Sequence, residues 1–543
     1  MQKVMVHNPF FAAVLREVPR LLGQMDRNPL SPTYGSCDRA FWHYRTNDIS
    51  SMRYQEAALT FALLYVTPFE GNEYCGDKQM LAWANAAIRF ACSHQHTDGS
   101  FDEWYLNEGS FVCTAFVSDA LSEAALVLGE ELLEREELIA ALKRSGMWLM
   151  RHSETLVVNQ LSGAISALRA IYELTGEVEY KEAAEAKCTV LLSLQHEEGW
   201  WSEYGGPDAG YLSLAIQYLS KYAERANDVR VQGAIDKAAA FLLYFINPDG
   251  TAGGEYLSRN TEYLIPSGCM RAAAYSPSSR IAASRVAELV TADKGITPRT
   301  LDDRYICYIL YTWIEAGIAW DKLDPSPTVD TTMPKNSGIT FFPDAGLFVG
   351  GYDSYQIFGN LKKGGSLRLY VRDAALIDSG VSVRLNGAVY AGNVLDQDTQ
   401  ISYDASTATL RSLGKLIRVQ APLLTTGRAL LLKTAQWLFG RIPVLQKLLK
   451  RILRTVSVMR PGSSSGLRYE RAITINDRAI TITDTLNALL PRETLFVGQA
   501  NIYALVPSSR YMTAQPEWAD LQPQSESYET LEKTTRLSRV FAL

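Results

Sequence analysis

Nine aromatic residues stand out for the company they keep. Phe101, Trp104, Tyr105, Trp200, Trp201, Tyr204, Tyr211, Tyr256 and Tyr263 fall in or just after three glycine-rich stretches, 97–104, 198–206 and 247–256. Asp102, Glu103, Glu203, Asp208, Glu255 and Glu262 lie among them. An indole or phenol face on a polar loop suits the C–H face of a sugar ring, and interspersed carboxylates and arginines can orient it. The six histidines, His7, His43, His94, His96, His152 and His196, all precede residue 197. His94 and His96 are two apart on a helical pattern and do not share a face. There is no GxxxxGK[ST], no GxGxxG after a strand and no HExxH. No metal and no cofactor is therefore expected. Lys362-Lys363-Gly364-Gly365 lies between strand patterns and reads as a hairpin turn rather than a phosphate loop.

Something must bring these loops together. Through the first 320 residues apolar side chains recur at three- and four-residue spacing, as in Leu161, Ala164, Ile165, Leu168 and Ile171. Helical patterns start near 51, 78, 110, 130, 156, 178, 209, 229, 261, 278 and 300, with one more over about 10–23. Short turns at 129–130, 175–177 and 226–228 alternate with the long aromatic loops. Long connections of this kind are usually functional, and the 40–60-residue period points to a repeat of helix pairs. Six pairs can close into an α/α toroid, with the long loops and the inner-helix starts on one rim. From about Gly338 the period becomes two, and Asn386-Gly387 signals a tight hairpin. The fold expected is thus an (α/α)6 toroid over 1–322, a proline-containing linker over 323–335, and an antiparallel β-sandwich over 336–543.

The composition is that of a folded protein, with 47% hydrophobic and 21% charged residues in a chain of 543. The net charge of -6 excludes a general nucleic-acid binder. It hides an asymmetry, because twelve Lys/Arg and no Asp/Glu lie between Ala405 and Tyr469. Within this segment, Leu445, Leu448, Leu449 and Ile452 share one helical face, and Lys447, Lys450, Arg451 and Arg454 lie largely on the other. A basic amphipathic insertion over about 421–460, with Trp437, Leu438 and Phe439 beside it, suits a peripheral contact with an anionic membrane surface. The competing reading is an insertion packed on its own sandwich. Seven scattered cysteines with no CxxC pair read as buried thiols of a reducing compartment. The first residues lack the apolar core of a signal peptide, and no uncharged apolar run reaches ~18 residues. The location expected is the cytoplasm, at or near the inner membrane face.

Four stretches resemble the heparinase II/III-like proteins. They are residues 35–42 with Arg39, Asn159-Gln160 at an inner-helix start, residues 203–211 from Glu203 to Tyr211, and residues 258–263 with Arg259, Asn260 and Glu262. Phe342-Pro343-Asp344-Ala345-Gly346-Leu347 and Lys363-Gly364-Gly365 fit as well. The resemblance implies a toroid followed by a β-sandwich and β-elimination of an acidic, uronate-containing polysaccharide. It implies that Asn159 acts on the uronate carboxylate and that Tyr211 is base or acid, with Tyr204 in reserve. Arg39, Arg259 and Arg304 could hold carboxylates bidentately. Trp104, Trp200, Trp201, Glu203, Asp208, Asn260 and Glu262 complete the expected substrate-binding set. Gln160 stands where the family often has histidine, and glutamine cannot exchange a proton near neutral pH. Elimination here would lean on a tyrosine whose phenol pKa the arginines depress. The basic insertion is similar to nothing in the secreted lyases and points to relatives linked with exopolysaccharide production. Two other readings remain open at this point: a glycosidase using paired rim carboxylates, and a non-catalytic polysaccharide binder at a membrane. Nothing in the sequence sets the oligomeric state.

Overall fold

Six helices form the inner wall of a ring: Ala57–Val66, Phe111–Leu128, Val158–Thr175, Ala209–Ala226, Pro266–Ala272 and Asp303–Lys322. Each packs on the next, and the last packs back on the first. The computed structural model describes residues 8–323, 338–419 except 373, 425–439, 442, 445, 464–497, and 522–543 except 532. Most of the proline-containing linker lies outside the described residues. So do Leu448, Leu449, Ile452, Lys447, Lys450, Arg451 and Arg454.

Inner and outer helices differ because their surroundings differ. Phe111–Leu128 meets protein on nearly every side, and small residues such as Ala115, Ser118, Ala120 and Ser122 are buried along it. Among the described residues it is the one helix apolar and long enough to cross a membrane, yet 78% of that stretch is buried inside the ring. The outer Lys78–Ser93 instead buries one stripe, with Met80, Ala84, Ala87, Ile88 and Ala91 turned inward. Helix ends follow local chemistry. Asp208 caps Ala209–Ala226 by accepting the Tyr211 N–H, and Gly176 ends Val158–Thr175 at φ 71°, where a Cβ would be strained.

Three helices start later than the periodicity predicts, the first at Ala57 after a 3-10 turn over Met52–Glu56. The pattern near 130 becomes a 3-10 turn, Gly129–Glu131, and the helix begins at Arg135. The pattern near 261 becomes a helix only at Pro266. Residues before it stay extended because polar groups from the neighbouring inner helix hold their N–H groups. Asp208 accepts from Arg259 and Thr261, and Ser213 Oγ accepts from Ile265 at 2.9 Å.

The second half is an antiparallel sandwich. A five-stranded meander runs Gly338–Phe342, Leu347–Tyr352, Tyr355–Asn360, Ser366–Val371 and Ala374–Asp378. It faces a nine-stranded sheet centred on Thr409–Arg418, Ser464–Ile475, Ala479–Leu486 and Thr534–Ala542. Phe348, Ile357 and Leu369 of the first meet Ile473, Ile480, Ile482 and Phe541 of the second. Asn386 and Gly387 turn the hairpin between Val381–Leu385 and Ala388–Ala391 with φ of 49° and 76°.

The two halves are joined by buried polar contacts. The fully buried Arg368 reaches out of the meander, donates from Nε to Glu255 at 2.7 Å and bonds Glu262 through Nη2. It passes so close to Gly254, at φ 135°, that a Cβ there would lie 2.5 Å from the guanidinium. Asn360 Nδ2 donates to the Tyr256 carbonyl at 2.9 Å, and Lys363 bonds the Leu257 carbonyl and Asn260. Lys363 ends a short 3-10 turn between two strands, so the double-glycine stretch is a strand connection that docks on the toroid. Burial lowers the Lys363 ammonium to about 8. Arg368→Met is expected to remove the guanidinium that lies between Glu255 and Glu262 and to destabilise the protein by about 3–5 kcal/mol. Thermal unfolding would read this as a clear fall in Tm; an unchanged Tm would mean the contact contributes nothing.

Candidate active site

Side chains from the start of all six inner helices converge on one cavity of about 190 Å3 at the rim. Arg53 and the Glu103–Trp104 loop enter from one side. Asn159 and Gln160 come from the third inner helix, and Tyr204 and Tyr211 from the loop and helix that follow. Arg259 and Tyr263 lie on the extended segment before Pro266, and Arg304, Tyr305 and Tyr308 on the last inner helix. Of the residues named from sequence, the structure therefore gathers Asn159, Gln160, Tyr204, Tyr211, Tyr263, Glu103, Trp104, Arg259 and Arg304 in one place.

Asn159 is held from behind. Its backbone N–H donates to Glu203 Oε1 at 2.8 Å and its Nδ2 to Oε2 at 2.6 Å. Glu203 is buried, and burial pushes its pKa well above the usual carboxylate range against the pull of both bonds. It thus positions Asn159 rather than facing the cavity. Asp208 has a similar bracing role. It caps the Tyr211 helix and accepts from the N–H groups of Arg259 and Thr261 and from the Thr261 hydroxyl, so one carboxylate fixes both Tyr211 and Arg259.

Arg259 stacks over the Tyr204 ring at 4.1 Å. Tyr204 sits at φ 57°, in a turn that pairs with residues 156–158. Arg259 Nε is buried with no hydrogen-bond partner among the described residues. A buried donor without a partner costs stability, and Arg259 is among the residues that line the cavity. Across the cavity Arg304 lies 4.1 Å over Trp104, donates to the Tyr308 hydroxyl at 2.8 Å and pairs with Glu103 at 3.1 Å. Arg53 covers Tyr308 at 4.2 Å and bonds Glu56. The chamber thus presents guanidinium groups and phenols, and its lining carboxylate Glu103 is already paired.

Tyr211 corrects one expectation. Its phenol is not depressed in the free protein. Burial raises it well above its usual value, Tyr305 adds to the rise, and Arg259 offsets only part. The loss of phenolate hydration outweighs one guanidinium that is shared with Tyr204.

Several sequence-predicted contacts lie elsewhere. Trp200 is buried against His196, with rings 3.6 Å apart, and its N–H donates to Glu198. Trp201 is 1% exposed, with its N–H on the Leu191 carbonyl. Neither indole offers a face to a ligand. Asn260 and Glu262 are taken up by Lys363 and Arg368 at the domain junction, where they hold the loop that carries Arg259. Arg39 lies outside the cavity beside Tyr44. Conversely, Arg53, Tyr305 and Tyr308 line the cavity without having been singled out. Their signal was positional: each stands at an inner-helix start, and Arg304 and Tyr308 are one helical turn apart. Among the described residues no three His, Cys, Asp or Glu side chains group as metal ligands would.

Further down the lumen the charges are self-contained. Lys221, 2% exposed, pairs with Asp119 at 3.1 Å and Glu315 at 3.2 Å, and Arg225 grips Glu123 with two 2.7 Å bonds. Between this cluster and the cavity, burial raises Glu56 to about 7 against the pull of Arg53. A carboxyl raised on folding binds its proton more tightly in the folded state. Its stabilising contribution is fully present below its ordinary value of 4.5 and is lost as pH rises through about 7. Glu56→Gln is expected to remove that slope from urea unfolding free energies, a change on the order of a few kcal/mol across the window. An identical slope in the variant would contradict the assignment.

Two solved structures share the fold. Xanthan lyase from Paenibacillus matches with TM-score 0.55 and 12% identity, covering 98% of this chain and 56% of that one. Chondroitin AC lyase from Streptomyces coelicolor A3 matches with TM-score 0.56 and 10% identity, covering 89% of this chain and 67% of that one. The chain thus spans little more than half the length of the xanthan lyase. No family model and no curated protein matches the sequence.

Proposed function

We propose that the chain is a polysaccharide lyase of the heparinase II/III-like kind, cleaving a uronate-containing polymer by β-elimination in exopolysaccharide metabolism. One observation carries the reading. Asn159, Tyr211 and Arg259 meet in a single rim cavity, and the buried Nε of Arg259 has no partner among the described residues. The two similar folds are lyases that by name act on xanthan and chondroitin, and both are consistent with an acidic glycan as substrate.

The chemistry follows from the groups present. Arg259 and the second N–H of Asn159 bind the uronate carboxylate and neutralise it, which acidifies the C5 proton. The Tyr211 oxygen, as phenolate, removes that proton. The C5 electron pair forms the C4–C5 double bond, the C4–O bond breaks, and the leaving oxygen takes its proton back from the Tyr211 phenol. No water is consumed. Gln160 supplies a hydrogen bond in this scheme and no proton. Trp104, held against Arg304, offers an indole to a neighbouring sugar.

The test is a panel of acidic polysaccharides followed by ultraviolet absorbance of the new unsaturated uronate. Rising absorbance with at least one polymer is expected. New reducing ends without absorbance would replace the reading with hydrolysis. Binding with neither signal would replace it with a non-catalytic factor.

A further inference from the structure

The helix Thr426–Phe439 presents an apolar stripe outward, where a helix of a folded domain ordinarily turns it in. Leu430, Leu431, Trp437 and Leu438 fall within one third of the helix circumference, and the first three are 69%, 72% and 67% exposed. The opposite face, with Ala429, Leu432 and the buried Gln436, rests on the protein. Arg428 and Lys433 flank the stripe on its two sides. Lys433 also pairs with Asp48 at 3.1 Å, which sets the helix beside the toroid loop leading to Arg53.

We infer that this helix is a docking surface for an anionic lipid bilayer. The charge pattern selects that occupant. The helix sits in a segment with twelve Lys/Arg and no Asp/Glu, within a chain that otherwise carries 41 basic against 59 acidic residues. A body that is acidic overall meets an anionic leaflet most favourably through this segment, which both attracts and orients it. A tryptophan at the edge of a leucine stripe flanked by cations is what an interfacial helix requires. A second copy fits worse, because two such faces would bring like charges together. The leaflet this surface selects, rich in anionic lipid, faces the cytoplasm. The inference does not depend on which reaction the rim cavity performs.

The test is flotation of the full chain with vesicles of phosphatidylcholine containing phosphatidylglycerol at about one lipid in four. Flotation at low salt, release at high salt and no flotation with phosphatidylcholine alone are expected. The Leu430→Asp/Leu431→Asp variant is expected to bind at least about tenfold more weakly. Should that variant fail to fold, Trp437→Phe carries the test, since it should still float but lose most of the vesicle-induced change in tryptophan emission. Absence of flotation, undiminished flotation of the double aspartate variant, or an unaltered emission change in Trp437→Phe would each overturn the inference. So would a concentration-dependent dimer, lost in the aspartate variant, without flotation of the native chain.

Discussion

Tyr211→Phe is expected to lower kcat for elimination by about 10³-fold while leaving KM and thermal stability nearly unchanged. The size follows from the role, because a single oxygen both takes the C5 proton and returns one to the leaving group. Stability is spared because, among the described residues, the Tyr211 hydroxyl makes no hydrogen bond whose loss would orphan a buried partner. The ring remains to pack beside Arg259 and Tyr305. The pH profile supplies a second readout. Burial raises the phenol, and only the phenolate serves as base, so kcat/KM of the native protein should keep climbing with pH through the alkaline range. A plateau near neutral pH would mean that another group removes the proton. Tyr204→Phe is the internal control. Tyr204 lies under Arg259, so its loss should move KM more than kcat.

Arg259→Ala is expected to cost about 10²–10³ in kcat/KM, with kcat carrying much of it. The carboxylate is the substrate group whose neutralisation makes C5 acidic, and charge flows toward it as the proton leaves. Arg259→Lys should recover only part, since an ammonium is a point charge and cannot reproduce the planar fork. Neither variant should disturb the loop, because Asp208 holds it through the Arg259 and Thr261 backbone N–H groups. Steady-state kinetics together with unfolding curves check both halves. Native kcat/KM in the alanine variant would remove Arg259 from the site.

The ring was legible because it rests on local signals: apolar spacing, three short turns and glycine-rich loops recurring in step. The hairpin at Asn386-Gly387 was legible for the same reason. What failed was whatever depends on distant partners. Glu262 reads as a rim carboxylate until Arg368, 106 residues later, claims it. Asn260 is claimed by Lys363 from 103 residues away. Glu203 meets Asn159 across 44 residues. Trp200 and Trp201 misled in another way, since a glycine-rich loop does not reveal which side its indoles face; here both turn into the core. Arg53 and Tyr308 escaped because a cation over a phenol leaves no spacing signature when its members lie 255 residues apart, one in the 3-10 turn before the first inner helix and one on the last.

The most direct measurement is the mass of the products formed in water labelled with heavy oxygen. Elimination breaks the C4–O bond without water, so both fragments should retain normal oxygen, and the new non-reducing end should carry an unsaturated uronate. Heavy oxygen at the cleavage point, with no unsaturation, would contradict the account at its centre: the chamber would then activate water, and the tyrosine and arginine would not be the groups that cleave the polymer.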